Sequence, residues 1–146
     1  MSPCSKLNIS LASGQLRDKK HREHFTPGAI EAFLEIADSW LLTVDQRRVL
    51  LGEISRPTYH IWKSGKLGVL SRDQLERVTL IIDINRYLTA AFDSQEEANS
   101  WLGSSNKDTP FKGRSPLCHS LQGSIIDLYA TRDYLRSFRQ RVELIR

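Results

Sequence analysis

Five helix starts are written into this chain in the chemistry of their caps, and they constrain the fold more than any other feature. Thr43 to Gln46 (T-V-D-Q) and Ser71 to Gln74 (S-R-D-Q) read as capping boxes. In each, the hydroxyl accepts from the amide three residues on, and the glutamine reaches back to the cap amide. Ser55, Arg56 and Pro57, and again Ser115 and Pro116, put a cap candidate ahead of a first-turn proline, whose missing N–H costs nothing there. Either Ser55 or Arg56 can be the cap of the first of these, and either Asp93 or Ser94 starts a further helix. Gly52, Gly65 and Gly123 stand where helices stop. No run between these marks alternates apolar and polar residues for a convincing length, so the chain is predicted to be all-α.

Helical spacing then assigns the faces. From Gly28 to near Trp40, Ile30, Phe33, Leu34, Ala37 and Leu41 fall on one side of an amphipathic helix, with acids opposite. A second helix runs from Thr43 to Leu51 and a third from Ser55 to Ser64. The long helix that follows Ser71 carries Leu75, Val78, Leu80, Ile81, Ile82, Ile84, Leu88 and Phe92. That coverage is too broad for one surface stripe, and it predicts burial on two sides, against a partner subunit or between two halves of the chain. A short helix with Ala98, Trp101 and Leu102, another from Ser115 to Gly123, and a last one from about Ser124 complete the series. The last uses Ile125, Leu128, Tyr129, Leu135 and Phe138 inward, with Arg132, Arg136 and Arg139 on one stripe. Three regions are expected: a flexible basic arm over 1–26, including Arg17, Lys19, Lys20, His21 and Arg22; a helix-turn-helix domain with its connecting helix over 27–92; and a C-terminal domain over 93–146.

Charge and cysteine content narrow the function. With 21 Lys and Arg against 17 Asp and Glu the net charge is +4, which suits a polyanionic partner without requiring one. Cys4 and Cys118 are far apart and form neither a disulfide framework nor a zinc site, as expected of a cytoplasmic protein. No apolar run is long enough to span a bilayer, so no membrane partner is expected. Cys118 and His119 are neighbours, and neighbours on a helix point apart, so they are not a nucleophile and base. No Gly-rich phosphate loop, metal-spaced ligand set or carboxylate pair in an apolar frame is present. The chain is expected to be no enzyme and to hold no cofactor and no metal.

The Thr43 and Ser55 helices, joined through Gly52, match the helix-turn-helix plan, whose second helix lies in the major groove of DNA. On that plan Tyr59 and Trp62 face inward to Leu50, Leu51 and Ile54. The candidate DNA contacts are Ser55, Arg56, Thr58, His60, Lys63 and Lys66. Arg56 suits guanine edges, whereas Lys63 and Lys66 suit phosphates. A bare packing unit would show the same spacing.

The helix-turn-helix array, the long helix, then W-L at Trp101 and Leu102, Asn106, the apolar Phe111, Gly113, the Ser115, Pro116, Leu117 run and a closing Gly123 together resemble the Xre/MbcA/ParS antitoxins. The resemblance covers about residues 28–140. It implies an Xre-like helical domain followed by a toxin-binding domain, in a type II toxin–antitoxin system whose toxin is a RES-domain protein, an NAD-degrading enzyme or ADP-ribosyltransferase. The antitoxin would occlude the toxin's active site, would form a homodimer that assembles with toxin into a heterotetramer or larger complex, and would bind operator DNA if its helix-turn-helix still reads it. Trp101, Asn106, Phe111, Pro116 and Leu117 mark the toxin-binding domain by position. Arg114, Arg132, Arg136, Arg139, Arg141 and Arg146 are the candidate charged contacts beside them. The chain departs from the family pattern in a Trp101 to Pro116 loop about two residues longer than usual, and in His119 and Ser120 where leucines are common. A stand-alone helix-turn-helix regulator with no toxin is the rival reading.

Overall fold

The structure, a computed structural model, describes residues 17–66 and 68–145, with side chains as far as Phe138. Among the described residues every regular element is a helix: α1 Lys19–Ser39, α2 Val44–Leu50, α3 Arg56–Lys63, α4 Arg72–Ala91, α5 Gln95–Gly103, α6 Pro116–Ser120 and α7 Ile125–Ile145. The chain divides into two compact units, one up to Ile82 and one from Asp83. The division falls within α4 rather than after Phe92, so α4 belongs half to each unit.

The caps form as their chemistry requires. Thr43 accepts from the Gln46 amide at 3.2 Å while the Gln46 side chain accepts from the Thr43 amide at 2.9 Å, and Ser71 and Gln74 repeat this at 3.1 and 2.9 Å. Ser55, Ser94 and Ser115 each accept from the amide three residues on. The C-termini are equally regular. Beyond α2 the Gly52 amide donates to Val49 and the Glu53 amide to Arg48, and beyond α3 Gly65 and Lys66 donate to Trp62 and Ile61 in the same pattern. Both glycines are left-handed, with φ of 91° and 85°.

Two sequence expectations need correction here. Residues 19–26 are helical, not a flexible arm: α1 starts at the Asp18 cap and continues through Pro27. Pro27 and Gly28 look like a helix breaker, but this first part of α1 is fastened to a distant segment. The Arg22 Nε donates to the Leu70 carbonyl at 3.2 Å, and the Leu70 amide donates to the buried Thr26 hydroxyl at 3.2 Å. Residues 1–16 lie outside the described residues. The second correction concerns Leu41, which was expected inside and is 80% exposed. Helix α1 ends in a Schellman motif whose left-handed residue is Leu41 itself (φ 58°), with Leu41 and Leu42 donating to Asp38 and Ala37. The reversal of the chain turns Leu42 inward instead, and the α1 core consists of Ala29, Ile30, Ala32, Phe33, Ile36 and Ala37.

On α4, Leu75, Val78, Leu80, Ile81, Ile82, Ile84 and Leu88 are all buried within the single chain. Its broad apolar surface therefore gives no argument for a second copy.

At Gly52 backbone conformation and a close neighbour together decide the residue. A Cβ there would meet the Arg77 side chain at 3.4 Å on a backbone of φ 91°. Gly52→Ala is expected to lower stability by about 1–2 kcal/mol. Gly68→Ala, where a Cβ meets open space, should stay within about 0.5 kcal/mol in the same denaturant titration.

Candidate functional site

In the N-terminal unit the arginines of α2 close the turn between α2 and α3. Arg48 donates through Nε to the Ile54 carbonyl at 2.7 Å and through Nη1 to Asp45 at 2.8 Å. Arg47 reaches in three directions, to the Leu42 carbonyl at 3.0 Å, the Tyr59 hydroxyl at 3.1 Å and Asp38 at 2.8 Å. These bonds fix α3 against α2 and α1, and Tyr59 is fully buried where they converge.

The outward face of α3 is what this frame presents. Arg56, the first residue of the helix, is 61% exposed and donates through Nη2 to both Asp45 oxygens, at 2.9 and 2.8 Å. His60, Lys63 and Lys66 are exposed, and Thr58 is half-buried. Ser55 is exposed, but its hydroxyl caps the helix and donates to Thr58 at 2.8 Å. Tyr59 is inside as expected, Trp62 only partly so, and Ile61 stands half exposed among the polar residues. Three cations thus face outward from α3 and its end, and one of them is held by a carboxylate.

In the C-terminal unit the segment from Ser104 to Ser115 has no helix, yet it is closely tied. The Asn106 amide donates to the Arg114 carbonyl at 3.1 Å and the Gly113 amide returns to the Asn106 carbonyl at 2.7 Å. The Asn106 side chain accepts from the Asp108 amide at 3.0 Å, and the Ser105 hydroxyl donates to the Gly113 carbonyl at 2.6 Å. Lys112 and Gly113 are both left-handed, φ 52° and 96°, which turns the loop back on itself.

Phe111 anchors it. Its ring, 1% exposed, meets Trp101 edge-on at 5.9 Å, Tyr134 at 5.0 Å and His119 at 5.5 Å. Trp101 in turn stacks on Tyr134 at 5.9 Å. The Tyr134 hydroxyl donates to Asp108 at 2.6 Å, closing loop onto α7. His119 and Ser120, in place of leucines, complete the packing differently: Ser120 donates to the Pro116 carbonyl and shares a buried hydroxyl contact of 3.0 Å with Thr131, while His119 Nε2 lies 3.6 Å from Asp127.

Each expected toxin contact can now be placed. Phe111 and Pro116 are buried and build the unit, as do the Asn106 side chain and most of Trp101. Leu117 is half-buried and Arg114 exposed. Arg132 is mostly buried: it bonds Asp133 at 2.9 Å, lies over the Tyr129 ring at 5.1 Å and approaches Asp83 at 4.0 Å. Arg136 is half exposed and bonds the same Asp133 at 3.3 Å. The side chains of Arg139 and Arg141, and Arg146 altogether, lie outside the described residues. Sequence reasoning missed Asp45, Arg47 and Arg48 as the frame of the turn, and Tyr134 with Asp108 as its counterpart in the second unit. Only the three-residue spacing of Asp45 and Arg48 carried a signal.

Among the described residues there is no group of three or more His, Cys, Asp or Glu that could hold a metal ion, and no helix is long and apolar enough to cross a membrane. An open depression of about 540 Å³ lies between the loop and α7, lined by Asp108, Thr109, Pro110, Ala130, Asp133, Tyr134 and Ser137. Both of its carboxylates already hold partners within the unit.

Residues 28–83 match the model of the antitoxin Xre-like helix-turn-helix domain. The uncharacterized protein y4oB of Sinorhizobium fredii (strain NBRC 101917 / NGR234) is 38% identical over 113 residues, 77% of this chain and 85% of that relative. The chain belongs to an Xre-type antitoxin family. No solved structure matches it. The match begins at Gly28, so the first turns of α1 that bind Leu70 precede the matched part of the Xre-like domain.

Asp83 carries a testable electrostatic consequence. Burial pushes its carboxyl above the ordinary carboxylate range, and Arg86, Arg132 and Arg136 only partly oppose that. A carboxyl raised on folding stabilises fully below its unfolded pKa, and that contribution is lost as pH rises through the folded value. Asp83→Asn should therefore gain stability relative to wild type as pH is raised from about 4 to neutral, read as the difference in melting temperature; a widening loss would contradict this.

Proposed function

We propose that this Xre-type protein is the antitoxin of a type II toxin–antitoxin pair, acting in the cytoplasm. Its C-terminal unit docks on a RES-domain toxin, an NAD-degrading enzyme or ADP-ribosyltransferase, and blocks the active-site entrance. Its own role is steric and requires no catalysis or cofactor. The observation that supports this best is the Phe111-anchored loop, which internal backbone bonds at Asn106, Gly113 and Arg114 hold in shape without a partner. A surface already ordered loses little conformational freedom on binding. Arg114, Leu117 and Arg136 are the side chains of this unit placed to touch the toxin, while Trp101, Asn106, Phe111 and Pro116 hold the surface in shape and Arg132 ties α7 to Asp83.

The Xre-like domain binds the operator of its own operon, with Arg56 at base edges and Lys63 and Lys66 at phosphates. A homodimer on a two-fold operator follows from the symmetry of such sites. With toxin it makes a heterotetramer or larger complex.

Co-expression with the RES-domain protein encoded beside it tests the reading. A stable complex and restored growth of the toxin-expressing host are expected, and Arg114→Glu with Arg136→Glu should weaken the complex at least tenfold, about 1.4 kcal/mol. If the chain binds DNA but no complex forms and growth is not restored, the protein is a stand-alone regulator.

A further inference from the structure

We propose that Asp45 is a positioning residue that aims Arg56 at a single guanine of the DNA site; this rests on the reading of the N-terminal unit as a DNA-binding domain. Arg56 opens α3, and the first side chains of a helix laid in the major groove are the ones that meet base edges. An exposed arginine normally samples many rotamers. Here its Nη2 lies 2.9 and 2.8 Å from the two oxygens of Asp45, the second residue of α2. Asp45 is in turn held by Arg48 Nη1 at 2.8 Å, and Arg48 is locked to the turn through the Ile54 carbonyl at 2.7 Å. The guanidinium is thus oriented by a relay that reaches back into the frame of the motif.

The relay holds Arg56 without silencing it. A carboxylate that quenches an arginine takes two nitrogens in a fork. Asp45 takes only Nη2, and among the described residues Nε and Nη1 of Arg56 make no hydrogen bond. Nε and Nη1 point to different sides of the guanidinium, so either one can meet a single guanine acceptor, N7 or O6, while Nη2 stays on Asp45. One carboxylate shared by Arg48 and Arg56 leaves the group at a net charge of +1, from two cations and one anion, so a phosphate-rich partner is still attracted. Lys63 and Lys66, exposed toward the far end of α3, supply attraction that carries no sequence information.

Selection of the full chain on a library of duplexes with a randomised centre tests this. Wild type should enrich a guanine at one position of each half-site, and Arg56→Ala should lose that preference alone. Asp45→Ala should weaken the same preference about tenfold, leave the preferences at the other positions unchanged, tighten binding to a fixed random duplex because the group's charge rises from +1 to +2, and cause no further loss of preference in the Arg56→Ala background. Asp45→Asn, which keeps one acceptor oxygen, should fall between wild type and Asp45→Ala, and it decides the matter if circular dichroism shows Asp45→Ala unfolded. Undiminished guanine preference in the Asp45 variants, or equal loss at every position, overturns the inference while DNA binding stands. No enrichment by wild type overturns both.

Discussion

A single phenylalanine ring holds together the irregular half of this molecule. Phe111 sits on a loop with no helix of its own, and the edges and faces of Trp101, Tyr134 and His119 enclose it. Burying such a ring contributes on the order of 2–3 kcal/mol, comparable with what fixing one or two loop residues costs. The reciprocal bonds between Asn106, Gly113 and Arg114 restrict that stretch further. The result is a loop that is shaped before it is used.

The first unit reaches rigidity by another route. Its short helices, seven and eight residues long, would be marginal alone. Arg47 and Arg48 bridge them to carbonyls and carboxylates of neighbouring segments, so that cations which in the sequence suggest a nucleic-acid surface are engaged in the frame. On α3 and its end the outward cations are Arg56, Lys63 and Lys66. If α3 reads DNA as proposed, its few cations must be well placed, which gives the carboxylate beside Arg56 its importance.

How much of this was legible in the sequence depended on distance along the chain. Caps, capping boxes and left-handed glycines obey chemistry within about five residues, and Thr43, Ser55, Ser71, Ser94, Ser115, Gly52 and Gly65 all behave as that chemistry dictates. The helix-turn-helix and the all-helical fold followed from them. The start of α1 did not, because what makes residues 19–26 helical is a hydrogen bond to Leu70, 48 residues beyond Arg22. Leu41 and Leu42 exchanged places because the helix ended in a left-handed leucine, a conformation that residue rarely adopts. Within the candidate toxin-binding surface, the order of Trp101, Asn106, Phe111 and Gly113 was readable as a motif. That Phe111 would be the core of it, and Arg132 a tie to Asp83 rather than a free cation, was fixed by partners 8 to 49 residues away: His119, Tyr134 and Asp83.

The central claim is that this preformed C-terminal surface, not the helix-turn-helix, receives the toxin. Amide hydrogen exchange of the full chain, alone and with the proposed RES-domain toxin, tests it directly. Slowed exchange confined to residues 104–138, with the Thr43 to Lys66 amides unchanged, is the predicted result. Slowed exchange over Thr43 to Lys66 with none in the C-terminal unit would contradict the account.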